Sequence, residues 1–211
     1  MRIRRHITVL LATLVAVAVV AVPASADSSG GANNVVIVQN TTDGATAARA
    51  LTQVVPVASD TVTSANIATA ANAGCIGCHS SAVAVQVLIV SGSPSTFTPA
   101  NVAAASNGGC DSCGAYAYAR QHWIQVSGPA VLDGATRLRI AQLRQEISDV
   151  TASILPSDAA TDPTLSRDHE LDAQLGALSE ELIQAVTSGL QQSGATTATV
   201  LDRTEDSTPD A

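Results

Sequence analysis

The sequence predicts an α+β chain: stacked Ala/Val-rich β-hairpin repeats, forming a small β-solenoid-like sheet, followed by an antiparallel helix pair. Three observations carry that expectation. A segment beginning Asn66-Ile-Ala-Thr-Ala-Ala-Asn-Ala-Gly-Cys75-Ile-Gly-Cys78 returns 35 residues later as Asn101-Val-Ala-Ala-Ala-Ser-Asn-Gly-Gly-Cys110-Asp-Ser-Cys113. Repetition on that scale marks a unit that buries its apolar face against its neighbour. The stretches after the two Cys-x-x-Cys pairs alternate with period two, as strands do. From Asp133 onward the apolar spacing changes to three and four, the helical period.

Residues 1–26 read as a secretory signal. Arg2, Arg4 and Arg5 precede an apolar run from Val9 to Val22, and Pro23-Ala-Ser-Ala26 supplies small residues for cleavage before Asp27. The competing reading, a membrane anchor, meets a run of about 14 residues, short of the roughly 20 a spanning helix needs. The remaining 185 residues carry seven arginines, no lysine and all 18 acidic residues, a net charge of −11. A surface of that sign repels phosphate backbones and anionic lipid. The expectation is a secreted or cell-surface protein with no nucleic-acid partner and no membrane insertion once the signal is removed.

Residues 27–132 form the expected Ala-rich repeat region. Val35 to Val38 reads as a strand, Asn40-Thr-Thr-Asp-Gly44 as a turn and Thr46 to Val57 as a return strand, although its alanines also suit a helix. Asn34 and Asn40 are spaced like Asn66 and Asn72, so this block reads as a degenerate first copy without cysteines. In the clear copies Asn66–Asn72 and Asn101–Asn107 are first arms, which as Ala-rich stretches suit strand or short helix. Residues 74–78 and 109–114 are reversals, and 81–91 and 115–126 are second arms. One face of the second arm holds Ala82, Ala84 and Gln86, and repeats as Ala117, Ala119 and Gln121. Small side chains permit close approach of another layer, and the amides of Asn66, Asn72, Gln86, Asn101, Asn107 and Gln121 suit side-chain ladders between copies. The other face changes between copies to Tyr118, Arg120 and His122. With Trp123 it is the candidate interaction face.

Residues 133–194 are expected to form the helical hairpin. Ile140, Leu143, Ile147, Val150 and Ile154 mark one stripe within Arg137–Leu155. Leu171, Leu175, Leu178, Leu182, Val186 and Leu190 mark the second, its start at Asp162-Pro163 or nearer Ser166 or Asp168. Residues 195–211, rich in Thr, Ser and Asp, read as a disordered acidic tail.

Cysteines in an exported chain pair by default. Local bridges Cys75–Cys78 and Cys110–Cys113 give each copy its own staple. Bridges Cys75–Cys110 and Cys78–Cys113 would join the copies. Two other uses stand beside these: a four-thiolate zinc site, and a redox Cys-x-x-Cys, to which His79 after Cys78 lends some support. Among the other histidines, His122 lies on a strand and His169 in a polar helix start. The sequence holds no Gly-x-Ser-x-Gly, His-Glu-x-x-His or phosphate loop, and Asn40-Thr-Thr42 is a glycosylation sequon.

The stretch from Asn66 to Gln86, its copy from Asn101 to Gln121, and Arg137-Leu-Arg-Ile-Ala-Gln-Leu-Arg-Gln-Glu146 resemble a group of secreted actinobacterial proteins of unknown function. A similar module ends some membrane proteins labelled peptide zinc metalloproteases, whose catalytic motif belongs to their membrane-embedded part. The resemblance implies an extracellular module, used alone or fused, with no assigned activity. Together these readings predict a non-catalytic extracellular structural or interaction protein without a cofactor, partnered by itself or by another extracellular protein. Metal binding or thiol redox at the four cysteines is the alternative.

Overall fold

The computed structural model describes residues 32–128, 130–153 and 164–207, and of residues 164–169, 206 and 207 the backbone alone. The expected signal segment, residues 1–26, and the junction at Asp162-Pro163 lie outside the described residues. Among those described, the chain is α+β, with seven strands in two sheets and two helices.

Strands β1 (Ala32–Asn40), β3 (Thr61–Ala73) and β5 (Thr96–Gly108) form one parallel sheet in the order β1-β3-β5. Strands β2 (Thr46–Val57), β4 (His79–Ser91) and β6 (Gly114–Ser127) form the parallel part of the other. Ladder bonds therefore run between equivalent arms of successive copies. The two arms of one copy lie in opposite sheets and do not hydrogen-bond as a hairpin. The small side chains explain the choice: they let the arms pack face to face, and the next copy satisfies the backbone. The first arms, Ala-rich as they are, are strands. Register confirms the cysteine-free block as an equivalent copy, with Asn34 opposite Asn66 and Asn40 opposite Asn72. The same ladder sets Asn66 opposite Asn101 and Asn72 opposite Asn107. In the second sheet Gln86 pairs with Gln121.

Two apolar layers result. Between the sheets lie Val36, Val38, Ala68, Ala70, Ala82, Ala84, Ala117 and Ala119. Further along the strands the space widens enough for Leu88, Val90 and Trp123, with the Phe97 ring 5.0 Å from Trp123. The opposite face of the second sheet, Val83, Val85, Val87 and Ile89, is covered by the helices through Ile140, Leu143, Ile147, Leu175, Leu182 and Val186. Strand β4 is thus buried on both faces, which is why it reads as a continuous apolar run.

Helix α1 (Gly134–Ala152) starts where the sequence texture changes: the Asp133 carboxylate accepts the Thr136 amide at 2.7 Å. Helix α2 (Thr164–Gln192) runs back against it. Arg139 binds Glu146 at 3.1 Å and reaches Glu181 across the pair. No helix among the described residues is long and apolar enough to cross a membrane. At Gly189 the helices touch closely, since a Cβ there would stand 2.6 Å from Thr136 Cγ2 and Oγ1. Gly189→Val is therefore expected to destabilise by about 1–3 kcal/mol, an overpacking cost. A melting temperature equal to the parent's would show that this contact yields freely.

The tail expectation is corrected. Residues Thr196–Ser207 form β7, antiparallel to β6, with a register shift at Trp123/Ile124. The exposed edge of β6 needed a partner, and the alternating, β-branched Thr196–Leu201 supplies it. Residues 208–211 lie outside the described residues.

Candidate functional site

In-register stacking brings the two Cys-x-x-Cys turns onto one another. The turn at residues 74–78 follows β3 and the turn at 109–113 follows β5. Ile76 and Asp111 form a parallel bridge between them. Backbone bonds Gly74 N to Gly108 O (2.9 Å), Gly77 N to Asp111 O (2.8 Å) and Gly114 N to Cys78 O (3.0 Å) hold the turns together. Both use the left-handed backbone at the same two places, Gly74 and Gly109 (φ 62° and 60°) and Gly77 and Ser112 (φ 61° and 55°). Identical backbone aims each pair of side chains the same way. The first copy's turn supports this from the other side, with Asp43 Oδ1 accepting the Ile76 amide at 2.8 Å.

The ligand atoms of Cys75, Cys78, Cys110 and Cys113 all lie within 4.8 Å of one another. Cys75 and Cys78 are joined as a disulfide, and Cys110 and Cys113 are thiols. Cys75 Sγ stands 3.7 Å from Cys110 Sγ, and Cys78 Sγ 2.9 Å from Cys113 Sγ. Cys75 and Cys78 are buried, and Cys110 and Cys113 are half-buried. Burial pushes the Cys113 thiol above its ordinary value, and the hydrogen bond and charge of Cys110 add to this. Backbone donors at Cys78 and Gly77 act in the opposite sense. His79 lies against the second turn: a Cβ at Gly114 would come within 2.7 Å of its Nδ1.

The amides form ladders behind the cysteines. Asn34 Nδ2 donates to Asn66 Oδ1 (2.8 Å), and Asn66 Nδ2 donates to Asn101 Oδ1 (2.7 Å). Asn72 Nδ2 donates to Asn107 Oδ1 at 2.8 Å. Gln121 Nε2 donates to Gln86 Oε1 at 2.9 Å, and the Ser64 hydroxyl donates to the same oxygen at 2.6 Å. The Asn40 sequon is occupied by the fold: its buried amide donates to Ala45 O (2.7 Å) and His79 O (2.9 Å).

Tyr118, Arg120, His122 and Trp123 do not form an open interaction face. All four are buried: Tyr118, Arg120 and His122 where α2 and β7 close over β6, and Trp123 on the opposite face of the strand. Arg120 binds Glu180 at 2.7 Å and Asp202 at 2.9 Å, and donates to Gly176 O at 3.2 Å. Burial works against the guanidinium charge, but the Asp202 and Glu180 hydrogen bonds outweigh it and raise its pKa. Asp202 shows the converse: burial opposes its charge, yet Arg120 holds its pKa low. Burial lowers the pKa of His122, whose Nδ1 lies 3.5 Å from Asp202, a neighbour acting in the opposite sense. Trp123 belongs to the layer between the sheets. Glu180, exposed on α2, anchors Arg120.

Sequence reasoning missed Ser64, Asp202 and the pair Tyr116–Asp172, in which the phenol donates at 2.6 Å. Ser64 stands opposite Pro99 in the next copy, so repetition gave no signal for it. A shallow depression of about 360 Å³ lined by Gly92, Ser93, Gln125 and Thr196–Ala198 contains no ionisable side chain. No family model matches the sequence, and comparison with curated proteins and with solved structures yields no significant match.

Proposed function

We propose that this protein is a non-catalytic extracellular structural or interaction module, a short solenoid-like stack whose amides hold its copies in register and whose disulfide staples one of the stacked turns. The observation that carries this reading is the convergence of all four cysteines on one point between stacked turns, continuous with the amide ladders. Side chains that in isolation suggest chemistry are engaged in holding layers together. Arg120 and His122, the most reactive-looking pair of the second arm, join β6 to α2 and β7. The signal-like composition of residues 1–26 and the presence of four cysteines are what support an extracellular setting.

The test compares unfolding midpoints of the oxidised chain with those of Cys75→Ala and Cys110→Ala. Each protein is also assayed for turnover of a small disulfide by a dithiol. The expected result is a lowered midpoint for Cys75→Ala and no turnover by any of the three. A four-residue loop removes little entropy from the unfolded chain, so that loss is modest, about 1–2 kcal/mol. Sustained turnover that disappears in either variant would replace the structural reading with a redox one.

A further inference from the structure

We propose that in its four-thiol state the cluster of Cys75, Cys78, Cys110 and Cys113 is a tetrahedral site for one divalent zinc ion, shared between the two stacked turns. The inference deepens the structural reading: the sulfurs remain cross-links, and the link changes from one within a copy to one between copies.

Four thiolates around zinc, each at about 2.3 Å, place neighbouring sulfurs about 3.8 Å apart. Of the two cross-turn pairs, Cys75–Cys110 already stands at 3.7 Å, Cys78–Cys113 at 2.9 Å has to open, and no sulfur in the cluster lies beyond 4.8 Å of another. Little backbone rearrangement is required, because the turns are fixed by their own inter-turn bonds and by matching left-handed residues. Two short loops, each contributing two sulfurs from a tight turn, are the form that structural zinc sites take. Soft thiolates disfavour magnesium and calcium and select zinc among common divalent ions. Half-buried Cys110 and Cys113 give the ion a route in.

The redox balance is explicit. A dithiol reductant gives two electrons and two protons to the Cys75–Cys78 disulfide, producing two thiols and its own cyclic disulfide. Zinc then displaces the four thiol protons to solvent. Oxidation of the same pair removes two ligands. Bridge and ion therefore exclude one another, and the oxidation level of Cys75 and Cys78 decides which cross-link the stack carries.

The full chain, reduced with a phosphine under anaerobic conditions, is titrated with cobalt(II) and followed by absorption. The expected spectrum is that of tetrahedral thiolate-bound cobalt, saturating at one ion per chain and bleached by zinc. Cys78→Ser and Cys110→Ser should each weaken cobalt binding at least tenfold, while Asp111→Asn, an exposed acid inside the second turn, should not. Far-UV circular dichroism follows the fold throughout. A reduced chain with four alkylatable thiols that gives no tetrahedral spectrum overturns the proposal, whether it keeps its sheet signal or loses it without recovery on adding cobalt. So does a spectrum unchanged in Cys110→Ser. If cobalt fails to bind while Cys75→Ala still lowers the midpoint of the oxidised chain, the metal site is lost and the structural reading stands.

Discussion

Replacing Asn66 with alanine is expected to lower the unfolding free energy by about 2–4 kcal/mol. Asn66 is the middle rung of its column and is fully buried. Its Nδ2 donates both to Asn101 Oδ1 at 2.7 Å and to Ala84 O at 3.1 Å, and its Oδ1 accepts from Asn34. Truncation leaves Asn101 Oδ1 without that donor at a buried position, where an unmet acceptor costs about 1–3 kcal/mol. The lost bonds and the space left behind add to it. Asn34 suffers less, because its Nδ2 keeps Leu51 O and Val85 O. Asn101→Ala is the informative comparison. It sits at the end of the same column, and its removal leaves Asn66 Nδ2 still bonded to Ala84 O. Its cost is therefore expected to be smaller, about 1–2 kcal/mol. Urea unfolding with matched m-values measures both. Equal losses in the two variants would mean that the amides act singly and that no ladder exists in the energetic sense.

What could be read from the sequence, and what could not, divides along a physical line. Repetition is a translational signal, so it exposed the copies, the equivalence of Asn34 with Asn66, and the helical stripes on Leu143 and Leu175. It is silent about which surface of a copy meets its neighbour. A hairpin and a two-sheet stack bury the same alternating pattern, and the choice depends on backbone pairing between residues 35 apart. The Arg120 cluster was misread for a related reason. Tyr118, Arg120 and His122 differ from the equivalent Val83, Val85 and Val87 because β6 ends the series and meets β7 and α2 where β4 meets another copy. Divergence at the last copy thus signals a cap as readily as a binding face. The cap was hidden because Asp202 and Glu205 give β7 the composition of a tail, although Thr196 to Leu201 has the β-branched content of a strand. At the sulfurs, the sequence limited the pairings. Register then brought all four atoms into reach of one another, so connectivity depends on redox conditions as well as on distance.

The second large effect is expected at that cap. Arg120→Met should cost about 2–3 kcal/mol and loosen β7, which limited proteolysis between Thr196 and Ser207 would report. Removing one partner of a fully buried pair costs about 3–5 kcal/mol. Here Glu180 and Asp202 keep 49% and 40% of their side-chain surface exposed and recover water, which reduces the loss. Acid should act on the same contacts in two stages. Burial lowers the pKa of His122, so the folded state resists its protonation. That contribution is complete above the unfolded value of about 6.5 and declines as pH falls from there toward the folded value. Asp202, held low by Arg120, contributes fully above the ordinary carboxylate range, and its share is lost as pH falls through its folded pKa. Urea midpoints from neutral pH downward should therefore fall in two steps. His122→Gln should remove the step nearer neutrality and Arg120→Met should shrink the acidic one. If the two variants share the parent's pH profile, the ionisations that govern acid stability lie elsewhere. Arg120 would then hold the cap by packing rather than by charge.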